Sequence, residues 1–309
     1  MKKVRLAISA LVATLVGAVA MAASPQIIAS GHGNPNVSII DINSNEIIWQ
    51  YKLEKSEPCN SIYLIDGGKS VIFSTQTGAK IVSIADKKLL WEYKVATPKS
   101  NELHSVAIHK DGNFAIFESG FPAKIVEFSA DYKEVGSYEF EGGGNNKHAQ
   151  FRRVVVNKAG NYQISLMQKK GIFELSRTGE IVAEHKTGYS AFSSNELSNG
   201  NYIFGIGDGH AIVEYDPSTE SEVEKITKFE DPEISMLYMA QVSEIGKGKY
   251  MAANWSGHNR NKPLTAPAPQ LFIYNDEGKI EWMWSDGETK LGMISTFVYS
   301  KKPIYKVKK

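Results

Sequence analysis

Short apolar segments rich in β-branched residues alternate with polar turns along nearly the whole chain. The clearest case spans residues 79–95, where the segments 80–84 and 89–95 flank a polar turn and predict two antiparallel strands. A single hairpin cannot cover its own apolar face, so it needs neighbouring strands to remain folded. The rest of the chain must therefore supply further strands.

The hairpin pattern occurs repeatedly along the chain. Strong copies begin at residues 37, 80 and 270, and weaker copies begin at residues 124, 171 and 211. Two further apolar segments precede each of the later copies and are joined by a turn such as residues 66–69. The spacing between Trp49 and Trp91 lies within the roughly 40 to 50 residues of a four-stranded propeller blade.

The strand count is unbalanced at the two ends of the chain. The first repeat lacks its innermost strand, whereas residues 293–299 form an unpaired apolar segment near the C-terminus. Joining the two would remove exposed sheet edges, which promote aggregation. We therefore predict an all-β fold, a six-bladed β-propeller closed by N-terminal strands pairing with a C-terminal strand, with residues 24–309 as a single domain.

The first 23 residues differ from the rest. Lys2, Lys3 and Arg5 precede a long apolar run that ends in Ala20-Met21-Ala22, the order of features in a secretory signal peptide. The run is also near membrane-spanning length, so a retained anchor is the alternative. Its alanine-rich end favours cleavage, and we predict a periplasmic or secreted protein with no membrane span after the signal peptide is removed.

The net charge and the cysteine count argue against nucleic-acid binding and against an intrachain disulfide. The chain has 35 Lys+Arg and 34 Asp+Glu, a net charge of +1, so nothing favours nucleic-acid binding. Cys59 is the single cysteine, which excludes an intrachain disulfide. We expect a monomer whose stability comes from packing.

Three segments that end in tryptophan resemble a known family repeat, namely Asp41…Trp49, Asp86…Trp91 and Asp276-Glu277-Gly278-Lys279…Trp282. They resemble the tryptophan-docking repeat of quinoprotein (PQQ-like) β-propellers, over nearly the whole chain after the signal peptide. The PQQ dehydrogenases of that superfamily are eight-bladed and carry an adjacent-cysteine disulfide over the cofactor. Six predicted blades and one cysteine therefore argue against PQQ here.

The histidine positions suggest a functional site. In a propeller, the turns that lead into innermost strands and the turns between second and third strands lie on one face around the central funnel, and such loops commonly carry binding groups. Five of the seven histidines fall in these positions, namely His32, His104, His148, His210 and His258. The alternative is that each imidazole only hydrogen-bonds a blade turn.

Candidate roles follow from side-chain chemistry. Imidazoles can bind a divalent metal ion, or one can act as a general base beside an arginine that stabilises an anionic intermediate. We assign catalytic roles to His148, Arg152 and His104, and a metal site to His32, His104 and His210. The proposed ligand-binding residues are Trp255, His258, Arg260, Glu118 and Asp208.

Two local groupings sharpen this assignment. Residues 148–153 are predicted to run along an innermost strand, so that alternation places His148 and Arg152 on one side and Arg153 on the other. A salt-bridged strand is the alternative. Residues 255–260 open a proline-containing loop that could lie over the funnel and stack Trp255 on a ring of the ligand, or merely cover neighbouring blades.

The sequence predicts a secreted or periplasmic propeller that binds a small anionic or carbohydrate-like ligand in a His/Arg-rich central funnel. Lyase, hydrolase and transferase activities are all compatible with these residues, and a divalent metal cofactor is compatible too. The alternative is a non-catalytic scaffold that holds a protein partner in the cell envelope. The sequence leaves open whether the protein is an enzyme.

Overall fold

The described residues of this computed structural model are 24–54, 58–258, 264, 266–286 and 293–306. They form six four-stranded antiparallel sheets and one separate two-stranded hairpin. The prediction of an all-β, six-bladed propeller is therefore confirmed. The predicted signal peptide, residues 1–23, lies outside the described residues.

The strands follow the sequence repeats. The first sheet takes three strands from the N-terminus: β1 (Gln26–Ser30), β2 (Asn36–Asp41) and β3 (Ile47–Lys52). The second sheet contains β4 (Ile62–Ile65), β5 (Ser70–Ser74), β6 (Gly78–Ser83) and β7 (Leu89–Lys94). The third sheet contains β8 (Glu102–Ile108), β9 (Phe114–Ser119), β10 (Ala123–Phe128) and β11 (Glu134–Phe140).

The second half of the chain repeats this arrangement. The fourth sheet contains β12 (Val155–Val156), β13 (Tyr162–Leu166), β14 (Gly171–Leu175) and β15 (Ile181–His185). The fifth contains β16 (Ser194–Glu196), β17 (Tyr202–Gly205), β18 (Ile212–Asp216) and β19 (Ser221–Ile226), followed by the hairpin β20 (Phe229–Glu230) and β21 (Glu233–Ile234). The sixth contains β22 (Met239–Gly246), β23 (Lys249–Asn254), β24 (Leu271–Asn275) and β25 (Ile280–Trp284), and the last strand is β26 (Thr296–Ser300).

The last strand closes the ring. β26 pairs antiparallel with β1 in a register that runs from Gln26 opposite Ser300 to Ser30 opposite Thr296. The first sheet therefore has the order β26-β1-β2-β3, as predicted from the strand count. Neighbouring first strands contact one another around the axis, for example β26 with β4 and β4 with β8.

Burial decreases from the axis to the rim of each sheet. The second strands β5, β9 and β13 are buried throughout, whereas exposed residues recur along the outer strands β7, β15 and β19. This gradient explains the sequence pattern, because inner strands are covered on both faces by adjacent blades and outer strands face water on one side. The inner ends of the blades therefore form a rigid frame around the axis.

Two of the three tryptophans predicted at the repeat position join neighbouring blades through their indole groups. The Nε1 of Trp49 on β3 donates to the carbonyl of Ile84 in the second sheet at 2.8 Å. The Nε1 of Trp282 on β25 donates to the carbonyl of Ile42 in the first sheet at 3.2 Å. Buried indole N–H groups need such acceptors, so these contacts account for the repeated tryptophan position.

Short 3₁₀ helices span Asp66–Gly68 and Lys147–Ala149. Within the part of the chain that the structure describes, no helix has both the length and the apolar character needed to cross a membrane.

Candidate functional site

A cavity of about 250 Å³ opens at the end of the axis where the innermost strands begin. Asn60 and Ser295 precede the first strands β4 and β26, whereas His32 and Trp255 belong to turns between second and third strands. The remaining lining residues are His148, Arg152, Phe192, Tyr238, Gly257 and His258. The structure thus brings side chains from several blades to one mouth of the ring.

His148 forms an imidazole–carboxylate pair with Glu102. Its Nδ1 lies 2.7 Å from Glu102 Oε2, and the Glu102 carboxylate is largely buried at the start of β8. The 3₁₀ helix Lys147–Ala149 positions the ring, and Asn146 Oδ1 caps this helix by accepting from the His148 amide at 3.0 Å. Because Nδ1–H donates to the carboxylate, Nε2 of the neutral ring is the basic nitrogen.

His104 lies behind this pair and is buried. Its Nδ1 accepts a hydrogen bond from Asn60 Nδ2 at 3.1 Å, while its Nε2 lies 3.5 Å from Glu102 Oε2 and has no hydrogen-bond partner among the described residues. Burial, followed by the positive charge of Arg152, holds the pKa of His104 well below its usual range. His104 is therefore neutral at physiological pH.

These groups also form a candidate metal site. Glu102, His104 and His148 each offer one ligand atom, and these atoms lie within 4.8 Å of one another. One carboxylate and two neutral imidazoles form a donor set suited to a divalent transition metal such as Zn²⁺. The cluster thus contains His104 from the predicted metal set, joined by Glu102 and His148 rather than by His32 and His210.

Arg152 places a positive charge beside the histidines. Its Nη1 donates to the carbonyls of His148 and Phe151, the second at 2.8 Å. Burial lowers the pKa of the guanidinium, and the nearby Tyr238 and Glu102 oppose that shift. An arginine remains protonated at any physiological pH, so the cavity keeps this cation.

Aromatic rings line another part of the cavity. Trp255 packs edge-on against Tyr238, His258 and His32, with ring centroids 5.3, 4.8 and 5.8 Å away. Its Nε1 donates to the His32 carbonyl at 2.8 Å, which fixes the orientation of the indole. The rings of His32 and His104 lie 6.3 and 5.6 Å from that of His148, so four of the predicted histidines converge at this mouth.

The prediction that residues 148–153 form an innermost strand is wrong. Residues 147–149 are a 3₁₀ helix, and the strand of this blade is limited to Val155–Val156. Gln150 explains the departure, because its side chain accepts from the Gly120 amide at 2.8 Å and donates to the Gly120 carbonyl at 3.0 Å. This amide pairing fixes Gln150 against the neighbouring blade, and the chain enters a regular strand only at Val155, so strand alternation does not apply to Arg152 and Arg153.

Other predicted site residues lie at different distances from the cavity. His210 Nδ1 is bonded to the Leu237 carbonyl, and Asp208 pairs with the His258 ring at 3.0 Å. The Glu118 carboxylate accepts from Tyr93 and Asn101 at 2.7 and 3.1 Å, away from the cavity lining. Arg260 lies outside the described residues.

Cys59 is fully buried, as expected for a small apolar side chain, and burial raises the pKa of its thiol to about 12.

Sequence reasoning missed Glu102, Asn60, Phe192, Tyr238 and Ser295. Glu102 had a detectable signal, because it precedes His104 by two positions and residues i and i+2 of a strand share a face. The other four approach the cavity from separate blades, each just before an innermost strand, a position where sequence reasoning considered only histidines.

A family profile and a solved structure match most of this chain. The profile of the family described as Mal s 1 allergenic protein-like matches residues 33–262. A protein of unknown function from Bacteroides caccae is 30% identical in its crystal structure, with a TM-score of 0.80 over 89% of this chain and 98% of that chain. No curated protein sequence matches the chain.

More distant structures share the fold alone. Virginiamycin B lyase from Staphylococcus aureus has a TM-score of 0.57 at 15% identity, over 86% of each chain. A chain of a nidogen/laminin complex has a TM-score of 0.61 at 11% identity, over 90% of this chain and 100% of that chain. The resemblance to PQQ-like repeats is not confirmed, because the matching profile is a different one. With most of its length covered by that profile, the chain belongs to the Mal s 1 allergenic protein-like family.

Proposed function

We propose that this protein binds a small, ring-bearing organic anion in the histidine-lined cavity and acts on it as a lyase. The observation that carries the proposal is the His148–Glu102 pair, 2.7 Å apart, beside the Arg152 cation at one mouth of the cavity. A base oriented by a carboxylate and placed next to a fixed cation suits proton abstraction from a carbon next to a carboxylate.

The cavity suits a small ligand with one ring. Its volume of about 250 Å³ lies below the range of roughly 300 to 1,000 Å³ of drug-sized pockets. Phe192, Tyr238 and Trp255 form an aromatic wall that can stack on an aromatic ring or on the apolar face of a sugar. Arg152 lines the same cavity, where it can pair with the carboxylate.

The elimination step assigns a role to each group. His148 Nε2 takes the proton, the electrons of the C–H bond form a carbon–carbon double bond, and the leaving group departs with the electrons of its own bond. Arg152 stabilises the negative charge that develops on the carboxylate. His258, paired with Asp208 at 3.0 Å, can protonate the leaving group.

A lyase is preferred to a hydrolase or a transferase because this chemistry needs only a base and an anion-stabilising cation. The fold of the lyase named above offers a precedent for elimination on such a scaffold. We further propose that residues 1–23 are removed as a signal peptide and that residues 24–309 act as one monomeric domain in the periplasm or outside the cell.

Calorimetric titration with two probes, benzoate and glucuronate, tests the binding proposal. We expect Arg152→Met to weaken binding by roughly 10- to 100-fold, because charge-assisted hydrogen bonds contribute about 1.5–3 kcal/mol. Lys133→Met, which removes an exposed cation from the turn between β10 and β11, is the matched control and should bind normally. Equal binding by the Arg152 variant would contradict the proposal.

Proton abstraction is tested separately by NMR. Wild-type protein should incorporate deuterium from D₂O at the carbon next to the carboxylate of glucuronate, and His148→Gln should not. If the wild-type protein binds glucuronate without deuterium exchange, the proposal of a ligand site stands and the proposal of lyase activity is wrong.

A further inference from the structure

A second cavity lies further along the same axis, where the innermost strands end. It has a volume of about 370 Å³, and its lining includes Tyr63 on β4, Gln241 and Ser243 on β22, and Lys301 just after β26. Arg153, the residue that follows Arg152, also lines it. Arg152 and Arg153 therefore line two different cavities, one towards each end of the propeller axis.

Arg153 is a buried cation that pairs with no acidic side chain among the residues the structure describes. Its side chain is 95% buried, since its exposed fraction is 5%. In the part of the chain that the structure describes, no ion pair includes it, and its Nε has no hydrogen-bond partner. Burying an uncompensated charge is strongly unfavourable.

The contacts that Arg153 does make leave this charge uncompensated. Its Nη1 donates to Asn195 Oδ1 at 3.2 Å, and its guanidinium lies over the Tyr63 ring at 4.8 Å from the centroid. Both partners are neutral, and they hold the guanidinium in one orientation. Burial lowers the pKa of Arg153, but an arginine stays charged at physiological pH.

The surroundings of the cavity add little negative charge. Glu244 is the one acidic residue in the lining, and its carboxylate accepts from the backbone amide and hydroxyl of Ser198 at 2.7 and 2.9 Å. Lys301 contributes a second cation at the rim. The cavity therefore combines a fixed, uncompensated guanidinium with room for a small ligand.

We infer that this cavity is an anion-binding site, in which the guanidinium of Arg153 binds the carboxylate or phosphate group of a small ligand. A planar guanidinium edge is suited to two parallel hydrogen bonds with such a group. Ser243 is positioned in the same lining to donate a third hydrogen bond. This site is separate from the cavity of the proposed function and does not depend on it.

Calorimetric titration of the purified protein with phosphate and with acetate, in low-chloride buffer, tests the inference. Because the Arg152 cavity is also proposed to bind a carboxylate, Arg152→Met serves as the parent protein for these titrations. We expect one site in this parent for at least one of the two anions, and the preferred anion distinguishes a phosphate-bearing from a carboxylate-bearing ligand. Adding Arg153→Met should weaken that binding at least tenfold. Absence of binding by both anions in the parent, or binding that survives in the double variant, would overturn the inference.

A second variant keeps the inference testable if Arg153→Met does not fold. Asn195→Asp places a carboxylate on the atom that already contacts Arg153, although it loses the bond from Asn195 Nδ2 to the Val242 carbonyl. This internal counter-ion should weaken anion binding at least tenfold. An anion that binds the folded protein should raise its melting temperature, and this variant should lose that rise. An unchanged rise in that variant would show that the anion binds elsewhere.

Discussion

Arg152 and Arg153 are adjacent in sequence but line different mouths of the propeller. Arg152 has Glu102 nearby and bonds two carbonyl groups, in a cavity rich in imidazoles. Arg153 has two neutral partners and an unsatisfied Nε. The comparison shows that one end of the axis is equipped with groups that can exchange protons or bind a metal ion, while the other presents a fixed positive charge.

The largest expected difference between the two mouths is their response to a divalent cation. Zn²⁺ should stabilise the protein through Glu102, His104 and His148, by about 2.7 kcal/mol when its concentration is 100 times the dissociation constant. Thermal unfolding with and without Zn²⁺, after treatment with a chelator, measures this gain. Arg153→Met should keep the full gain, because its cavity holds none of the three ligands.

The matched variants for this measurement are Glu102→Gln and His104→Gln. Each removes one ligand atom while keeping most of the side-chain volume, so each should lose most of the stabilisation by Zn²⁺. A gain that persists in both variants would place the metal elsewhere.

The second difference is pH dependence. Burial keeps His104 neutral in the folded protein, whereas its usual pKa of 6.5 applies to the unfolded chain. As pH falls below about 6.5, the unfolded state therefore binds a proton that the folded state does not, and the free energy of unfolding decreases by up to about 1.4 kcal/mol per pH unit. The contribution is fully present above pH 6.5.

Urea unfolding in metal-free buffer between pH 7.5 and 5 measures this slope. Burial also lowers the pKa of His109, so His104→Gln should reduce the slope without abolishing it. Arg153→Met should leave the slope unchanged, because arginine does not titrate in this range. A slope that is identical in wild type and His104→Gln would show that His104 is not the responsible group.

The smallest effect is expected for Tyr63→Phe at the arginine mouth. The hydroxyl of Tyr63 donates to the Val154 carbonyl at 2.9 Å, and its loss should cost about 1 kcal/mol of stability. The ring under Arg153 is retained, so anion binding should change less than about twofold. Calorimetry with phosphate and acetate checks this, and a large loss of affinity would assign the hydroxyl, rather than the ring, to the site.

Local sequence patterns were sufficient for the architecture. The repeated hairpins predicted six blades, and the spare segment at residues 293–299 predicted the pairing of β26 with β1. The histidine positions predicted one shared face, where four of the rings now converge. These predictions succeed because strand alternation and blade spacing are short-range properties of the chain.

The same reasoning failed where a side chain competes with the strand. Gln150 bonds both backbone groups of Gly120, and residues 147–149 form a 3₁₀ helix instead of the expected strand. The hairpin of β20 and β21 was also missed, because its two-residue strands are too short for periodicity to reveal. The first feature involves a contact with Gly120, which is distant in sequence from Gln150, whereas the hairpin pairs residues only a few positions apart.

The sequence by itself determined the number of blades, their closure and the face that carries the histidines, since each follows from spacing along the chain. Only the tertiary structure decided that Glu102 meets His148 and that Arg153 is buried without an acidic partner among the described residues. Such meetings depend on how separate blades pack around the axis, and a shift of one residue within a loop would change which groups meet. The chemistry at the two mouths was therefore fixed by packing rather than by any local motif.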